Sequence, residues 1–214
     1  MSLQFEILPL HPFTQEEIWP IVTGYETQEI YIVEKTETDQ HSIFDVRLVQ
    51  LDKPYRASFF HDFTPEECQW YLSLLPQGYS LGAYQHARLI AFALGEAFPQ
   101  ERLLRVWEFH VMAEFRRRGV GRTLIEQVIA KARQDRLAMI KLETQNTNVK
   151  AIRFYRSMGF TLDAIDFSHY FDMGGAEASQ IAFFMIRRLE DAPPVSQTRL
   201  VNDYAEDPGK LSGS

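Results

Sequence analysis

One cysteine, Cys68, stands in 214 residues, so no disulfide can close within the chain and a scaffold stapled by such bonds is excluded. Long apolar runs are missing too: the densest stretches are broken by Glu, Arg or Pro within a few positions, short of the roughly 18 residues a membrane span requires. Positive charge is outnumbered, with 22 Lys and Arg against 29 Asp and Glu, a formal net charge of −7 and a pI near 5.4. A nucleic-acid-binding role needs a basic footprint to neutralise phosphates, and none is present overall. A cationic small molecule is the more natural partner. The N-terminal M-S-L-Q-F-E has no basic region leading into an apolar run, so a cytoplasmic location is expected, with neither membrane nor nucleic acid as a partner.

What is there is ordinary for a globular protein: 45% hydrophobic and 24% charged residues, in a length suited to one domain. That domain is expected over residues 1–189. Beyond it, Pro193-Pro194, scattered polar residues and a final Gly-Lys-Leu-Ser-Gly-Ser read as a flexible tail over 190–214. Residues 4–10 alternate like a strand, and Thr14 with Glu17 resembles a capping box opening a short helix. Residues 29–35 and 42–51 predict an antiparallel hairpin. Thr64-Pro-Glu-Glu opens a helix that runs to about Leu75, with an N-cap, a proline at its first position and acids in its first turn. Residues 79–84, 89–98 and 103–112 form a β-meander.

From Val120 the period changes. Val120, Leu124, Val128 and Ala132, with Ile125 and Ile129 beside them, make one apolar helical face. Residues 138–144 are again a strand, so 103–144 is a strand, helix, strand unit whose strands lie parallel by right-handed crossover. Asn148 caps a further helix that ends at Gly159, and strands follow at 160–166 and 181–189, separated by the glycine-bearing stretch at 173–176.

The junction at 108–121, E-F-H-V-M-A-E-F-R-R-R-G-V-G, carries chemistry. Successive backbone N–H groups at a strand-to-helix turn point into one concave space at the positive end of the helix, which suits an anion. Gly119 and Gly121 let a diphosphate approach the main chain, and Arg116, Arg117 and Arg118 add charge at the rim. The plain structural reading is a tight turn with a solvated arginine run. A P-loop is not its explanation, because the Lys-Ser/Thr ending is missing, and G-x-G-x-x-G is missing as well.

Two motifs decide between these readings. R-x-x-G-x-G at 116–121, followed about thirty residues later by N-x-x-A-I-x-F-Y-x-x-x-G-F at 148–160, resembles the GNAT superfamily of acyl-CoA-dependent N-acetyltransferases. The resemblance implies a mixed α/β (α+β) fold: a mostly antiparallel sheet of about seven strands, flanked by helices, whose two central parallel strands splay apart to admit acetyl-CoA. Those strands are 103–112 and 138–144. Transferred position by position, the backbone around Arg116, Arg117, Arg118, Gly119, Val120, Gly121 and Arg122 would hold the CoA pyrophosphate. Val111 and Met112 would pair by main chain with the pantetheine arm, Asn148 would bond the same arm, and Tyr155 would sit near the thioester sulfur. No metal enters this chemistry.

Each role has a physical reason. A thiolate leaving group, with a thiol pKa on the order of 8.5, is stabilised by a phenol donor, and the tetrahedral oxyanion needs a fixed N–H such as that of Val111. The attacking amine must first lose a proton, and Glu108 and His110, two apart on one strand face, are the candidates to take it. Glu108 is preferred; His110 is equally well read as a satisfied buried imidazole, and Tyr155 as a core aromatic. Glu143 also lies by the expected splay.

A narrower likeness joins Leu142-Glu-Thr-Gln, residues 159–170, Phe183 onward and Lys53-Pro-Tyr-Arg-Ala-Ser-Phe59 to streptothricin acetyltransferases, which acetylate an amine of that antibiotic. It implicates Tyr55 in substrate contact. Where that pattern has P-Y-x-K-S-Y this chain has Pro54-Tyr-Arg-Ala-Ser-Phe59, and Thr147 replaces an asparagine. Glu26, Glu29, Glu34, Glu37, Asp39 and Asp45 in the hairpin, with Asp166 and Asp172, either attract a cationic amine or form a solvated face. The expected activity is acetyl transfer to a primary amine, with a catalytically inactive acyl-CoA-binding module as the alternative and a monomer or homodimer as the assembly.

Overall fold

In the computed structural model, residues 3–59, 63–170 and 180–189 are described. In chain order the elements are β1 (Glu6–Pro9), α1 (Gln15–Ile18), β2 (Tyr25–Glu37), β3 (Ser42–Ala57), α2 (Pro65–Leu74), β4 (Leu81–Gln85), β5 (Arg88–Phe98), β6 (Leu103–Val111), α3 (Val120–Gln134), β7 (Met139–Gln145), α4 (Val149–Ser157), β8 (Thr161–Asp166) and β9 (Ala182–Arg188). Seven strands form one sheet in the order β1-β4-β5-β6-β7-β9-β8, and β2 with β3 makes a separate ribbon. All neighbours in the sheet run antiparallel except β6 and β7. The mixed, mostly antiparallel sheet with one central parallel pair is as the sequence implies. The stretch at 173–176 and the tail at 190–214 fall outside the described residues.

The apolar face read for α3 is the one buried: Val120, Leu124, Ile125, Val128, Ile129 and Ala132 are all at most 3% exposed. It packs across β4, β5 and β6. Fully burying a large aliphatic side chain contributes roughly 1.5–3 kcal/mol relative to leaving it in water, so this stripe fixes where the helix can sit. It thereby also fixes where the helix begins, over the C-terminal end of β6.

Parallel pairing between β6 and β7 runs from Leu103–Met139 to Val106–Leu142 and stops. Past that point β6 stays paired to β5, and β7 to β9, so the two strands part. A local cause is visible in the β5–β6 ladder. Glu108 faces Leu94 while Val106 faces Gly95, so Trp107 is an extra residue on β6. A bulge of this kind bends the strand that carries it.

The same ladder decides which backbone groups face the gap. Met112 N–H donates to the Ile90 carbonyl at 2.9 Å. Antiparallel pairs alternate, so Phe109 and Val111 turn their N–H and C=O groups away from β5 and toward the opening.

The hairpin is longer than its sequence suggests, 25–37 with 42–57, because α4 and the turn after β7 hold it. Arg153 makes two bonds to Glu29, at 2.7 and 3.2 Å, and Arg156 donates to the Tyr31 hydroxyl at 2.7 Å. Asn146, 5% exposed, ties three elements: its amide donates to the Tyr31 carbonyl at 2.7 Å and its side-chain oxygen accepts from Ile181 N–H at 2.9 Å. Its backbone N–H donates to the Ile181 carbonyl, and its own carbonyl accepts from Tyr31 N–H. Asn146→Ala leaves two buried backbone groups without partners and should cost about 2–4 kcal/mol. Urea denaturation measures this; a loss below about 0.5 kcal/mol would show that the ribbon is not held here.

Candidate active site

Where β6 and β7 part, a cleft of about 1280 Å³ opens. Its walls are residues 106–111 of β6 and 142–145 of β7, closed at one end by the turn into α3 and at the other by Tyr71 and Tyr170, with Gly24, Tyr25 and Glu26 at the ribbon side. Arg117, Gly119, Gly121, Arg122, Asn148 and Tyr155 all line it.

The turn has the geometry of an anion cradle. Gly119 caps α3 with a φ of +88°, and Arg117 also lies in the left-handed region at +62°. The first bond into the helix is Thr123 N–H to the Gly119 carbonyl at 3.0 Å. Backbone N–H groups from 117 to 122 find no acceptor among the described residues. Such a run at the positive end of a 15-residue helix is a site for negative charge. A Cβ at Gly119 would meet nothing within 4 Å, so the space over it is open. At Gly121 a Cβ would come within 3.3 Å of Val111 Cγ2, so this glycine serves the close approach of helix to strand.

The three arginines separate in role. Arg116 is spent on structure: its Nε donates to the Val111 carbonyl at 2.8 Å, and its other nitrogens reach the Gly24 carbonyl and Thr23 Oγ1 at 3.3 and 3.0 Å. Arg117 reaches the cleft, while Arg118 is not among its lining residues. Val120 is wholly buried and, like Arg118, does not line the cleft. Met112 departs from its expected place. Its N–H is committed to Ile90, its carbonyl accepts from Phe115, and its side chain is buried, so only Val111 of that pair offers a free N–H to the gap.

Asn148 caps α4 through its side-chain oxygen, which accepts from Ala151 N–H at 3.2 Å. That leaves its amide N–H pair for the cleft. Tyr155, on the following turn, is 6% exposed and packed by the rings of Phe109, Phe154 and Phe160. Its hydroxyl has no partner among the described residues. Burial first, and then the charges of Glu108 and Glu143, push its pKa far above the usual phenol value. It remains a protonated donor throughout the neutral range.

On the opposite face of β6, Glu108 accepts from the Tyr71 hydroxyl at 2.6 Å and stands 2.6 Å from His110 Nε2. Glu143, across the gap on β7, accepts from the Tyr170 hydroxyl. Tyr71 and Tyr170 were not singled out in the sequence. For Tyr71 a signal existed, since Cys68, Tyr71 and Leu74 share the buried face of α2 and a phenol on such a face needs a partner.

Two substrate-side candidates lie elsewhere. Tyr55 does not line the cleft; its hydroxyl accepts from Gln180 Nε2 at 2.6 Å, and it is Gln180 that lines the wall. Asp166 is engaged by Ser168, accepting from its N–H and its hydroxyl at 2.8 Å each, and this holds its carboxyl below the usual range. The hairpin acids are largely paired internally: Glu26 with Arg56, Glu29 with Arg153, Glu34 and Asp45 with Arg47, and Glu37 with Lys35. They form a compensated face rather than a lure for cations. Of these only Glu26 reaches the cleft. Asp172 is outside the described residues.

The parted strands, the turn into α3 and the buried phenol of Tyr155 thus meet in one cleft. The Acetyltransferase (GNAT) family model matches residues 43–160, more than half the chain, and the chain belongs to that family. It is 30% identical over 93 residues, 44% of this chain and 62% of the other, to the ribosomal protein bS18-alanine N-acetyltransferase of Escherichia coli strain K12. To streptothricin acetyltransferase A of Bacillus subtilis strain 168 it is 32% identical over 74 residues, 35% of this chain and 42% of the other. The chain thus spans less than two thirds of the length of these curated relatives. The crystal structure of nourseothricin acetyltransferase covers 87% of this chain and 99% of its own, with a TM-score of 0.69 at 27% identity. The resemblance to streptothricin acetyltransferases read from the sequence is borne out.

The two glycines predict different costs to the fold. Gly119→Ala meets only open space and should cost about 1 kcal/mol through its left-handed φ. Gly121→Leu must push α3 away from Val111 and should cost about 3 kcal/mol. Denaturation midpoints of the two variants report the order; the reverse order would refute this account of Gly121.

Proposed function

We propose that the protein is an N-acetyltransferase that moves the acetyl group of acetyl-CoA to a primary amine by direct attack. The observation that carries this reading is the Tyr155 hydroxyl, an unpartnered donor between the anion cradle and Glu108 in one cleft. The pyrophosphate sits on the N–H groups of 117–122, and the pantetheine arm lies along the gap-facing edge of β6, bonded by the Asn148 amide. Val111 N–H donates to the thioester carbonyl oxygen.

The amine nitrogen attacks the carbonyl carbon, the oxygen takes up negative charge against Val111 N–H, and the carbon–sulfur bond then breaks with its electrons on sulfur. The Tyr155 hydroxyl donates to that sulfur. Because its pKa is raised far above that of a thiol, near 8.5 for an ordinary thiol, it works as a hydrogen-bond donor rather than by handing over its proton. Before attack the ammonium proton of the acceptor, with a pKa of about 10.4 in a lysine-like amine, passes to Glu108, directly or through water; the second proton, made acidic once the carbon–nitrogen bond forms, passes through water to the departing thiolate.

The charge on the cleft supports a cationic acceptor. Arg116, Arg117, Arg122 and Lys150 line it together with Glu26, Glu67, Glu108 and Glu143; Arg116 is taken up by Val111, Gly24 and Thr23, while the charges of Glu108 and Glu143 are felt at Tyr155. The long structural match to nourseothricin acetyltransferase favours a small antibiotic-like amine of the streptothricin kind over a protein N-terminus.

Thiol release with acetyl-CoA across streptothricin, aminoglycosides, polyamines and peptide amines tests the activity; acetyl-CoA binding without turnover of any of them would favour an inactive binding module. Tyr155→Phe should lower kcat about 100-fold and leave KM for acetyl-CoA within about twofold. Gly119→Val fills the cradle and should weaken acetyl-CoA binding at least about tenfold, against about threefold or less for Arg117→Ala, since backbone donors dominate there. Calorimetric titration of both variants decides the point.

A further inference from the structure

Glu108 is held more firmly than proton transfer alone demands. Oε1 accepts from the Tyr71 hydroxyl and Oε2 lies against His110 Nε2, both at 2.6 Å. The His110 side chain is 10% exposed and Glu108 19%. The imidazole is walled by the rings of Phe59, Phe63 and Phe92, with centroids 5.5, 5.8 and 5.3 Å away. Tyr71 in turn is fixed by ring contacts to Phe63 and Trp70 and by the position of α2, which Thr64 and Glu67 cap reciprocally at 3.2 and 2.7 Å.

Resting on the proposed function, we infer that Tyr71 and His110 are positioning residues for acceptor activation, and that α2 sets turnover through them. A lone glutamate on a strand edge samples several rotamers, and only some of them face the cleft. Two short bonds from different elements, one to each oxygen, select a single orientation and leave the outward lone pairs of the carboxylate toward the amine. The contact between Oε2 and Nε2, at 2.6 Å, fixes the second oxygen, with the imidazole donating when the carboxylate is ionised. Around the pair stand the phenol of Tyr71 from α2, the three phenyl rings and, through space, Tyr155 from α4. Holding the carboxylate in this way fixes its geometry toward the acceptor.

A structural role would change stability alone; a positioning role changes kcat. Tyr71→Phe keeps the ring packing and removes the bond to Oε1. It should lower kcat about tenfold at neutral pH and leave KM for acetyl-CoA within about twofold. His110→Gln supplies an N–H donor and should retain most of kcat, whereas His110→Leu should lose about tenfold or more. Full kcat in both Tyr71→Phe and His110→Leu at every pH, with only a fall in thermal midpoint, overturns the inference. Glu108→Gln separates this from the assignment of Glu108 as proton acceptor: full turnover there overturns that assignment and the inference with it and leaves the acetyl-transfer reading standing, while loss of turnover there beside full activity in Tyr71→Phe overturns the inference alone.

Discussion

The hydrogen bonds that β6 and β7 do not make beyond Val106 and Leu142 are the constraint on which this structure turns. A central pair of strands ordinarily satisfies its backbone groups ladder by ladder, and a buried group left without a partner costs about 1–3 kcal/mol. Here the gap is kept open from both sides. The extra residue at Trp107 bends β6, and β7 is held back by its full pairing with β9, from Met139–Arg188 to Gln145–Ala182. The opening is a cleft rather than a sealed void, so its N–H groups are not shut away from solvent. The fold therefore tolerates the lost ladder bonds and gains a recognition edge.

Two helices start from this opening, and each start is used. Gly119 begins α3 over the end of β6, and Asn148 begins α4 past the end of β7. The apolar stripe of α3, by packing on β4, β5 and β6, sets the helix start beside the cleft, where Arg117, Gly119, Gly121 and Arg122 line it. The pairing of α4 with the ribbon through Arg153 and Arg156 keeps Tyr155 buried against Phe109. Local sequence, core packing and the site are one chain of cause here, since moving either helix would misplace a donor.

Much of this was legible in the sequence because it rests on local signals. The capping of α2 by Thr64, the six buried positions of α3, the Asn148 cap and the left-handed Gly159 follow from short-range rules about periodicity and helix ends. What was not legible depends on which partner each group takes, near or far in the chain. Met112 and Val111 look alike in the strand, and only the register against Ile90 shows that one N–H is committed and the other is not. Arg116 reads as one of three equivalent charges until Thr23 and Gly24, over ninety residues away, take its guanidinium. Asp166 and the hairpin acids look like a cationic lure by composition, yet neighbouring Ser168, Arg47, Arg56 and Arg153 occupy them. Composition counts charges, and pairing decides which of them a ligand can feel.

The cleft brings opposite charges into one cavity, and the sheet is what keeps them apart. The backbone dipoles at the start of α3 lie on the side where Phe109 and Val111 face Gly121. Glu108 and His110, alternating with them along β6, present to the α2 side. Period-two alternation thus assigns the donor to one face of a strand and the acceptor to the other. Tyr155 is where the two meet, its phenol raised by burial and by both Glu108 and Glu143. Burial and the two carboxylates together keep that phenol protonated, so it is a donor in the same cleft that Glu108 and Glu143 line.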